Sequence, residues 1–283
     1  MLNNIVNLPA TESERLAGFL REHSRLTVLT GAGCSTASGI PEYRDDDGNW
    51  KHRQPMQFAD FVSSAGKRRR YWAQSFAGWE RISNASPNAA HRAIAELERS
   101  GIVSCVITQN VDNLHRVAGS RNVIDLHGVL RRIRCLDCGR IDSRRAFQSR
   151  LRDCNPEWKA AVSAISPDGD ARLSVDDFQS FHVPECAHCG GIVKPHVVFF
   201  GEAVPALRVS RANEHLEQSD ALLVVGSSLM VFSGYRFARI ASAAGKPIAI
   251  VNRGTTRADH LATHKLTANC GELLSDTVAR LAA

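Results

Sequence analysis

Short apolar runs alternate along the chain with longer amphipathic stretches. The runs are rich in β-branched residues and end at glycine or polar residues, which is typical of buried strands. They occupy residues 26–30, 102–108, 123–126, 197–200, 221–225 and 248–252. Each is too short to form more than one strand.

The stretches between these runs have helical periodicity. Thr11 is followed three residues later by Glu14, a capping box that predicts a helix to about residue 23. Ser86 and Pro87 have the residue types preferred at the cap and first turn of a helix. The small residues after Gly31 are expected to turn into a helix that follows the first strand. Further helices are predicted at residues 55–84, 207–218, 234–244 and 272–281.

The alternation of strands and helices predicts an α/β fold, a Rossmann-type parallel sheet with helices on both faces. Such sheets bind ligands beyond the carboxyl ends of their strands. Gly31, Gln109, Gly226 and Asn252 each come directly after a predicted strand. We therefore expect these residues to meet at one edge of the sheet.

Residues 130–193 differ from the rest of the chain, because they hold few long apolar runs and all the paired cysteines. We interpret them as a small zinc-binding module, inserted into one Rossmann-type domain made of residues 1–129 and 194–283. A turn-rich stretch inside the module includes Pro-Asp-Gly-Asp at residues 167–170.

The paired cysteines have the spacing of a structural zinc site. Cys135 and Cys138 form one CxxC pair, and Cys186 and Cys189 form the other. Each pair can supply two thiolates from one tight turn, and four thiolates complete the tetrahedral shell of a structural Zn²⁺ ion. The alternative is two independent redox motifs. His188 lies between two of these cysteines and is expected to be exposed.

Composition excludes some classes of protein. Hydrophobic residues make up 43% of the 283 residues and charged residues 23%, as in a globular domain with a sizeable core. No apolar run is long enough to span a membrane, and no secretory signal is visible. A reducing, cytoplasmic compartment is therefore expected. The net charge of +6 allows an anionic partner, but the arginine runs are short, so nucleic acid is not expected as one.

A dinucleotide site is indicated at the first strand. Gly31, Ala32 and Gly33 follow that strand and allow close approach of a pyrophosphate group. Thr36 stands where the dehydrogenase fingerprint needs glycine, which argues against an NAD-linked oxidoreductase. The alternative for this turn, and for the polar residues after other strands, is a purely structural turn or helix cap. His127 follows another strand, where a neutral imidazole can accept a proton.

The order of these motifs resembles the sirtuin family. The matching segments are GAGCSTASGIPEYR (31–44), TQNVDNLH (108–115), LHG (126–128), the two CxxC pairs, KPHVVFFGE (194–202), VVGSSL (224–229), IAIVN (248–252) and CGE (270–272). Together they span roughly residues 26–281. The resemblance implies a Rossmann-type domain joined to a structural zinc module, with NAD consumed as a co-substrate.

The resemblance also implies roles for individual residues. His127 is implied as the general base, with Asn110 beside it as a second catalytic residue. Residues implied to bind NAD are Gly31, Ala32, Gly33, Ser35, Tyr43, Arg44, Gln109, Asn110, Asp112, Gly226, Ser227, Ser228, Asn252, Gly254 and Cys270. Residues implied to hold the acyl-lysine substrate are Val198, Phe200, Gly201 and Glu202.

The implied reaction is NAD-dependent deacylation of lysine side chains in proteins or peptides. The acyl group passes to ADP-ribose and nicotinamide is released. Mono-ADP-ribosyl transfer to protein is the alternative that uses the same NAD site. A zinc-ribbon protein that binds nucleic acid is a further alternative, but it gives no role to Asn110 or His127.

Within the family, the chain resembles the class II branch, which contains the mitochondrial lipoamidase sirtuin. The segments at residues 68–79, 167–170, 224–238 and 270–274 carry this resemblance. Sirtuins that remove succinyl groups carry a Tyr-x-x-Arg pair, whereas Tyr71 is followed by Gln74 in this chain. Acidic acyl groups are therefore expected to be poor substrates. His196 stands where many relatives have aspartate.

Overall fold

The structure, a computed structural model, describes residues 10–51, 55–159, 162–166, 169–173 and 178–283. The helices are α1 Glu12–Glu22, α2 Phe58–Ser63, α3 Ala65–Ser83, α4 Ala89–Arg99, α5 Leu114–Val117, α6 Arg144–Cys154, α7 Ala206–Glu217, α8 Phe232–Ala243 and α9 Cys270–Ala282. The strands are β1 Leu26–Thr30, β2 Val103–Thr108, β3 Val123–Asp125, β4 Gly128–Cys135, β5 Ile141–Ser143, β6 Val162–Ile165, β7 Ala171–Leu173, β8 Val193–Val197, β9 Ala221–Val225, β10 Ile248–Val251 and β11 His264–Leu266.

Six strands form a parallel sheet in the order β11-β10-β9-β1-β2-β3. The order reverses between β1 and β9, which is the topological switch point of a doubly wound sheet. Alternate residues of each strand face opposite sides, so the two faces have separate cores. Helices α1, α4 and α9 cover one face, and α7 and α8 cover the other. The predicted Rossmann-type α/β fold is confirmed.

A second, three-stranded sheet has the order β5-β4-β8 and is antiparallel. It shares a hydrophobic core with α2, α3 and α6, in which Trp72 and Phe147 pack with their ring centroids 4.7 Å apart. The Rossmann sheet and this small sheet are joined directly, because β3 ends at Asp125 and β4 begins at Gly128. The two residues between them, Leu126 and His127, form the joint.

The predicted strand at residues 197–200 is wrong. The strand lies earlier, at β8, and pairs with β4 of the small sheet. Pro195 lies inside β8, and proline within a run argues against a strand because it has no N–H to donate. Since β8 is an edge strand, that missing donor costs no ladder hydrogen bond. Beyond β8 the chain leaves the sheet, and Phe200 makes a single bridge to Gln57.

Three predicted helices differ from the observed ones. The segment at residues 55–84 is broken at Ser64, whose hydroxyl caps α3 by accepting a hydrogen bond from the Lys67 N–H at 3.2 Å. The cap of α4 is Asn88 and not Ser86, because the Asn88 side chain accepts from the N–H groups of Ala90 and His91. After Gly31 the chain forms two short 3₁₀ turns, at Ala32–Cys34 and Thr36–Ser38, and no α-helix.

Within the described residues, no helix combines the length and apolar character needed to cross a bilayer. Pro167 and Asp168, part of the turn predicted at residues 167–170, lie outside the described residues.

A buried arginine at the start of α6 connects this helix to α3. Arg144 is 1% exposed, and its guanidinium donates to the Ser75 carbonyl at 3.3 Å and to Gln148 Oε1 at 2.6 Å. It also lies over the rings of Trp72 and Trp79, at 5.2 and 4.7 Å from their centroids. Burial lowers the pKa of Arg144 to about 10, so the group stays charged at neutral pH.

Replacing Arg144 with alanine should therefore destabilise the protein by about 3 kcal/mol, because the change leaves a cavity and unpaired polar groups. Urea denaturation followed by tryptophan fluorescence measures the effect, since Trp72 and Trp79 contact the guanidinium. Arg145→Ala is the matched control, because Arg145 is the exposed neighbour on the same helix. Equal midpoints for the two variants would contradict the assignment.

Candidate active site

A cavity of about 880 Å³ opens at the carboxyl ends of the parallel strands. Its volume is in the range of cavities that hold cofactors. The predicted residues that line it are Gly31, Ala32, Gly33, Ser35, Tyr43, Arg44, Gln109, Asn110, Asp112, His127, Val198, Phe200, Gly201, Glu202, Gly226, Ser227, Ser228, Asn252 and Cys270. The structure therefore brings the predicted catalytic, NAD and substrate residues together, with the exception of Gly254.

The floor of the cavity is a contact between two glycine turns. The Gly33 N–H donates to the Gly226 carbonyl at 2.9 Å. Gly226 has φ +60°, and a Cβ added there would lie 2.3 Å from the Cys34 nitrogen. A side chain at either position would separate the turns that follow β1 and β9. This close approach is what leaves room for a pyrophosphate group at the switch point.

A buried hydrogen-bond network holds Asn110 in place. Its amide nitrogen donates to the Gly31 carbonyl at 3.0 Å and to Ser35 Oγ at 2.9 Å. Ser35 in turn donates to an Asp112 carboxylate oxygen at 2.7 Å. Burial raises the pKa of Asp112, and its hydrogen bonds from Leu114 N–H and Ser35 oppose that rise. The network fixes the amide nitrogen of Asn110 on the wall of the cavity.

His91 lies behind this network and makes structural hydrogen bonds. Its Nδ1 accepts from the Asn88 N–H at 3.3 Å, so the ring proton is on Nε2, which lies 3.4 Å from Ser35 Oγ. Burial lowers the pKa of His91 to about 4, so the ring is neutral.

The hydrogen bonds of His127 define its tautomer. Nδ1 lies 2.9 Å from the Gln109 carbonyl, which can only accept, so Nδ1 carries the proton. Nε2 then bears the lone pair and accepts from the Ser233 hydroxyl at 2.8 Å. Burial lowers the pKa of His127 to about 4. At neutral pH the side chain is therefore uncharged, with a basic nitrogen at the cavity.

The amide of Gln109 joins two strand ends. It donates to Ser227 Oγ at 2.7 Å and to the Thr30 carbonyl at 3.3 Å. Gly234, at the start of α8, packs against it, and a Cβ at Gly234 would lie 2.4 Å from the Gln109 amide oxygen.

The loop at residues 42–50 covers one side of the cavity. The Arg44 guanidinium stacks 4.1 Å from the centroid of the Trp50 ring and donates to the Gly48 carbonyl at 2.6 Å. Tyr43 packs edge-on against Trp50, with centroids 6.1 Å apart. Arg44 and Tyr43 are thus held by contacts within the loop itself.

Gly254 does not line the cavity. It lies behind the loop, where a Cβ would come within 2.3 Å of the Asp46 carbonyl oxygen. Its own carbonyl accepts from the Asn252 amide at 2.9 Å and from Lys265 at 2.7 Å. Asn252 and Cys270 do face the cavity, and the Cys270 thiol lies 3.7 Å from the Val251 carbonyl.

The predicted substrate segment follows β8. The Val198 N–H donates to the His127 carbonyl at 2.7 Å, which ties this segment to the joint between the sheets. Glu202 accepts from the Phe199 N–H at 2.8 Å and from Lys194 Nζ at 2.9 Å. Lys194 is 3% exposed, and burial lowers its pKa. Glu202 thus closes a loop that presents Val198, Phe200 and Gly201 to the cavity.

Sequence reasoning missed several residues of the site. Ser233, which donates to His127, lies in the first turn of α8, and its position after the Gly226 turn is the signal that could have found it. Trp50 lies in a polar loop with no periodic pattern. Other lining residues without a sequence prediction are Glu42, Asn88, Asn213, Arg236, Arg253 and Asn269.

The four paired cysteines form one cluster. The sulfur atoms of Cys135, Cys138, Cys186 and Cys189 all lie within 4.8 Å of one another. The two closest pairs, Cys135–Cys189 and Cys138–Cys186, are 3.5 and 3.9 Å apart and cross between the motifs. Two independent redox motifs are thereby excluded, and the donor set fits a structural Zn²⁺ ion. His188 is exposed, as expected.

Fold and site together define an α/β enzyme with a dinucleotide cavity at the switch point and a zinc-stabilised second sheet. The Sir2 family model matches residues 31–233. The chain belongs to the Sir2 family, and it is an enzyme with NAD as co-substrate and one structural zinc site.

Several relatives are similar over nearly the whole chain. The NAD-dependent protein deacetylase of Bordetella bronchiseptica is 52% identical over 269 residues, covering 95% of this chain and 98% of the relative. The NAD-dependent protein deacetylase 2 of Bradyrhizobium diazoefficiens is 54% identical over 263 residues, with coverages of 93% and 96%. The mitochondrial NAD-dependent protein lipoamidase sirtuin-4 of Bos taurus is 47% identical over 264 residues, with coverages of 92% and 84%.

Solved structures of Sir2 enzymes are similar to this chain over nearly its whole length. A Sir2 complex with a p53 peptide and NAD⁺ has a TM-score of 0.78 at 28% identity, covering 95% of this chain and 98% of that one. Another Sir2 enzyme has a TM-score of 0.76 at 36% identity, with coverages of 96% and 98%.

Replacing Cys186 with serine should reduce the bound zinc from about one ion per chain to nearly none, because three thiolates no longer close the shell. The metal content of the purified protein measures the change. Cys154→Ser is the matched control, since Cys154 is exposed and lies outside the cluster. Retention of zinc by Cys186→Ser would mean that the metal is held elsewhere.

Proposed function

We propose that the protein is an NAD-dependent protein lysine deacetylase. The observation that carries the proposal is His127, a buried and neutral imidazole whose free nitrogen lies in the same cavity as Asn110 and the glycine turns. The names of the bacterial relatives support acetyl-lysine proteins or peptides as the substrate class. NAD and the acyl-lysine are proposed to meet in the cavity between the two sheets.

The dinucleotide is proposed to lie across the switch point. Ala32, Gly33 and Ser35 would hold its phosphates at the Gly33–Gly226 contact, with Arg44 on the covering loop. Gln109, Asn110 and Asp112 would hold the nicotinamide ribose and its carboxamide. These assignments are supported by the position of each residue on the cavity wall.

The adenosine end is proposed to lie against β9 and β10. Gly226, Ser227, Ser228, Asn252 and Cys270 line that part of the cavity. Gly254 would contribute indirectly to NAD binding, because it supports the loop that carries Arg44.

His127 is proposed to act as the general base. The acyl-amide oxygen of the substrate would first displace nicotinamide from the ribose carbon. His127 Nε2 would then accept a proton from a ribose hydroxyl, whose oxygen attacks the imidate carbon, and the lysine amine would leave as water adds at that carbon. Ser233 now occupies the hydrogen-bonding position on Nε2 and would give way to the ribose. The products are free lysine, nicotinamide and an acyl ester of ADP-ribose.

Replacing His127 with alanine should lower kcat by about 100-fold or more, the usual contribution of a general base. The assay measures nicotinamide release from NAD with an acetyl-lysine peptide. Because the pKa of His127 is lowered to about 4, the wild-type rate should show no loss from His127 protonation between pH 8 and pH 6. The base is neutral above its pKa, so such a loss belongs near pH 4.

His188→Ala is the control for this experiment, since His188 is exposed beside the zinc cluster. Full activity of His127→Ala would overturn the proposal. Mono-ADP-ribosyl transfer, the alternative reaction, would appear as label from NAD on protein without loss of acetyl groups.

We further propose that the enzyme prefers neutral acyl groups and belongs to the class II branch. Lining residues that also pack in the second core are Ile40, Met56, Tyr71, Val111, Leu130, Val197 and Phe199. These seven residues carry no charge, and the charged residue next to them on the wall, Glu202, is paired with Lys194 at 2.9 Å. Arg68 is turned away and donates to the carbonyls of Phe61 and Val62 at 2.9 and 2.7 Å. The likeness to the bovine lipoamidase supports longer chains such as lipoyl.

In a panel of acyl-lysine peptides, those with neutral acyl groups should therefore react faster than those with an acidic acyl group. Acetyl and lipoyl peptides should be turned over at least about tenfold faster than a succinyl peptide, because a buried carboxylate without a cationic partner costs several kcal/mol. Values of kcat/KM from nicotinamide release measure the difference. A succinyl peptide that reacts as fast as acetyl would contradict the neutral pocket.

The remaining assignments are also proposals. We propose that residues 130–193 are the zinc module and that residues 1–129 with 194–283 are the Rossmann-type domain. Support comes from the cysteine cluster and from the separate small sheet. The cytoplasmic location and the absence of a nucleic acid partner stay predictions.

A further inference from the structure

A second concavity lies behind the joint between the two sheets. It encloses about 1030 Å³ and is lined by parts of β3, β4, β5 and α7. Gly128 forms part of its wall, so it backs onto the segment that carries His127 on the other side. We refer to it as the arginine groove.

The arginine groove has an excess of positive charge. Five arginines line it: Arg116, Arg131, Arg132, Arg208 and Arg211. The carboxylates on its wall are Asp125 and Asp142, and both are already engaged. Asp125 pairs with Arg116 at 3.1 Å, and Asp142 pairs with Arg140 at 3.2 Å. In the part of the chain that the structure describes, Arg131, Arg132, Arg208 and Arg211 have no carboxylate within ion-pair distance.

His196 lies beside Arg208 where a carboxylate could neutralise it, and the acidic groups that attract Arg208, Asp125 and Glu202, lie beyond ion-pair distance. Its Nε2 accepts from the Arg208 guanidinium at 3.2 Å, so an imidazole takes the acceptor position beside a half-buried arginine. The proton is then on Nδ1, a buried donor with no acceptor among the described residues. Burial, followed by the charges of Arg208, Arg134 and Arg132, lowers the pKa of His196 to about 4.

We propose that the arginine groove binds a small anionic ligand that carries several phosphate groups. The planar guanidinium fork matches phosphate oxygens two at a time, and four such groups without a carboxylate in ion-pair distance surround one concavity. Its volume is that of a small-molecule site, whereas an extended basic stripe would be expected for nucleic acid. This site is distinct from the dinucleotide cavity and does not depend on the proposed deacetylase reaction.

Inorganic tripolyphosphate is the probe, titrated calorimetrically into the zinc-loaded full chain. The variant Arg131→Gln/Arg132→Gln should weaken binding by about tenfold or more, because it removes two charge-assisted contacts. Both side chains are exposed and form no ion pair with any residue that the structure describes, so the fold should be retained. Adenosine triphosphate is titrated as a second probe. An affinity equal to that of tripolyphosphate would mean that the groove recognises only the phosphate groups.

Two double variants serve as controls with the same loss of charge. Arg15→Gln/Arg239→Gln removes exposed arginines from helices outside the groove and should leave binding within about twofold of wild type. Arg44→Gln/Arg253→Gln removes two of the three arginines that line the dinucleotide cavity and should do the same. If this last variant loses tripolyphosphate while Arg131→Gln/Arg132→Gln keeps it, the ligand lies in the dinucleotide cavity and the inference is wrong.

Two further results would overturn the proposal. One is the absence of saturable tripolyphosphate binding by the wild-type protein. The other is a short DNA duplex that binds more tightly than tripolyphosphate through Arg131 and Arg132, with a steep dependence on salt. That result would make the groove part of a nucleic acid interface.

Discussion

The close approach of the turns after β1 and β9 is the constraint on which the site depends. Gly33 and Gly226 touch through their backbones, and the Gly33 N–H satisfies the Gly226 carbonyl. Because β1 and β9 are neighbours in the sheet, this contact lies at the switch point, where the order of the strands reverses. The cavity, the path of the covering loop and the direction of the Asn110 amide all follow from it. A side chain at either glycine would need a shift of backbone, which a packed parallel sheet resists.

His127, the proposed general base, owes its position and its lowered pKa to the joint between the sheets. His127 follows the last strand of the Rossmann sheet and precedes the first strand of the small sheet. Both of its ends are therefore fixed by hydrogen-bonded strands, and its carbonyl is held by Val198. Burial between two cores keeps the imidazole neutral, and the Gln109 carbonyl selects the tautomer. A histidine with an ordinary pKa would need neither the burial nor the hydrogen bond to Gln109. Its imidazole ring would then have no fixed orientation.

Much of this arrangement could be predicted from the sequence, for physical reasons that differ between elements. The buried parallel strands were predictable because a strand covered on both faces must be a continuous apolar run, as at Ala221–Val225. The cysteine cluster was predictable because spacing limits how thiolates can reach one metal ion. The edge strand β8 was not, because its polar and proline residues are tolerated only by an edge that tertiary structure creates. Ser233 was missed for a similar reason, since its partner His127 lies 106 residues away in the chain, whereas Trp50 was missed because its loop has no periodic pattern.

The same joint gives the molecule two chemically different sides. In front of it lies a cavity lined by three arginines: Arg44 stacks on Trp50, Arg236 lies over the Phe232 ring at 5.3 Å from its centroid, and Arg253 lies 3.6 Å from Glu42. Behind it lies the arginine groove, where Arg208 donates to the Leu126 carbonyl at 3.4 Å and finds an imidazole beside it in place of a carboxylate. Positive charge that is neutralised within the protein contributes to the fold, whereas charge left without a partner attracts anions from solution. The segment Leu126–His127 therefore lies between two sets of hydrogen bonds, those of the His127 ring with Gln109 and Ser233 in front and that of the Arg208 guanidinium with the Leu126 carbonyl behind.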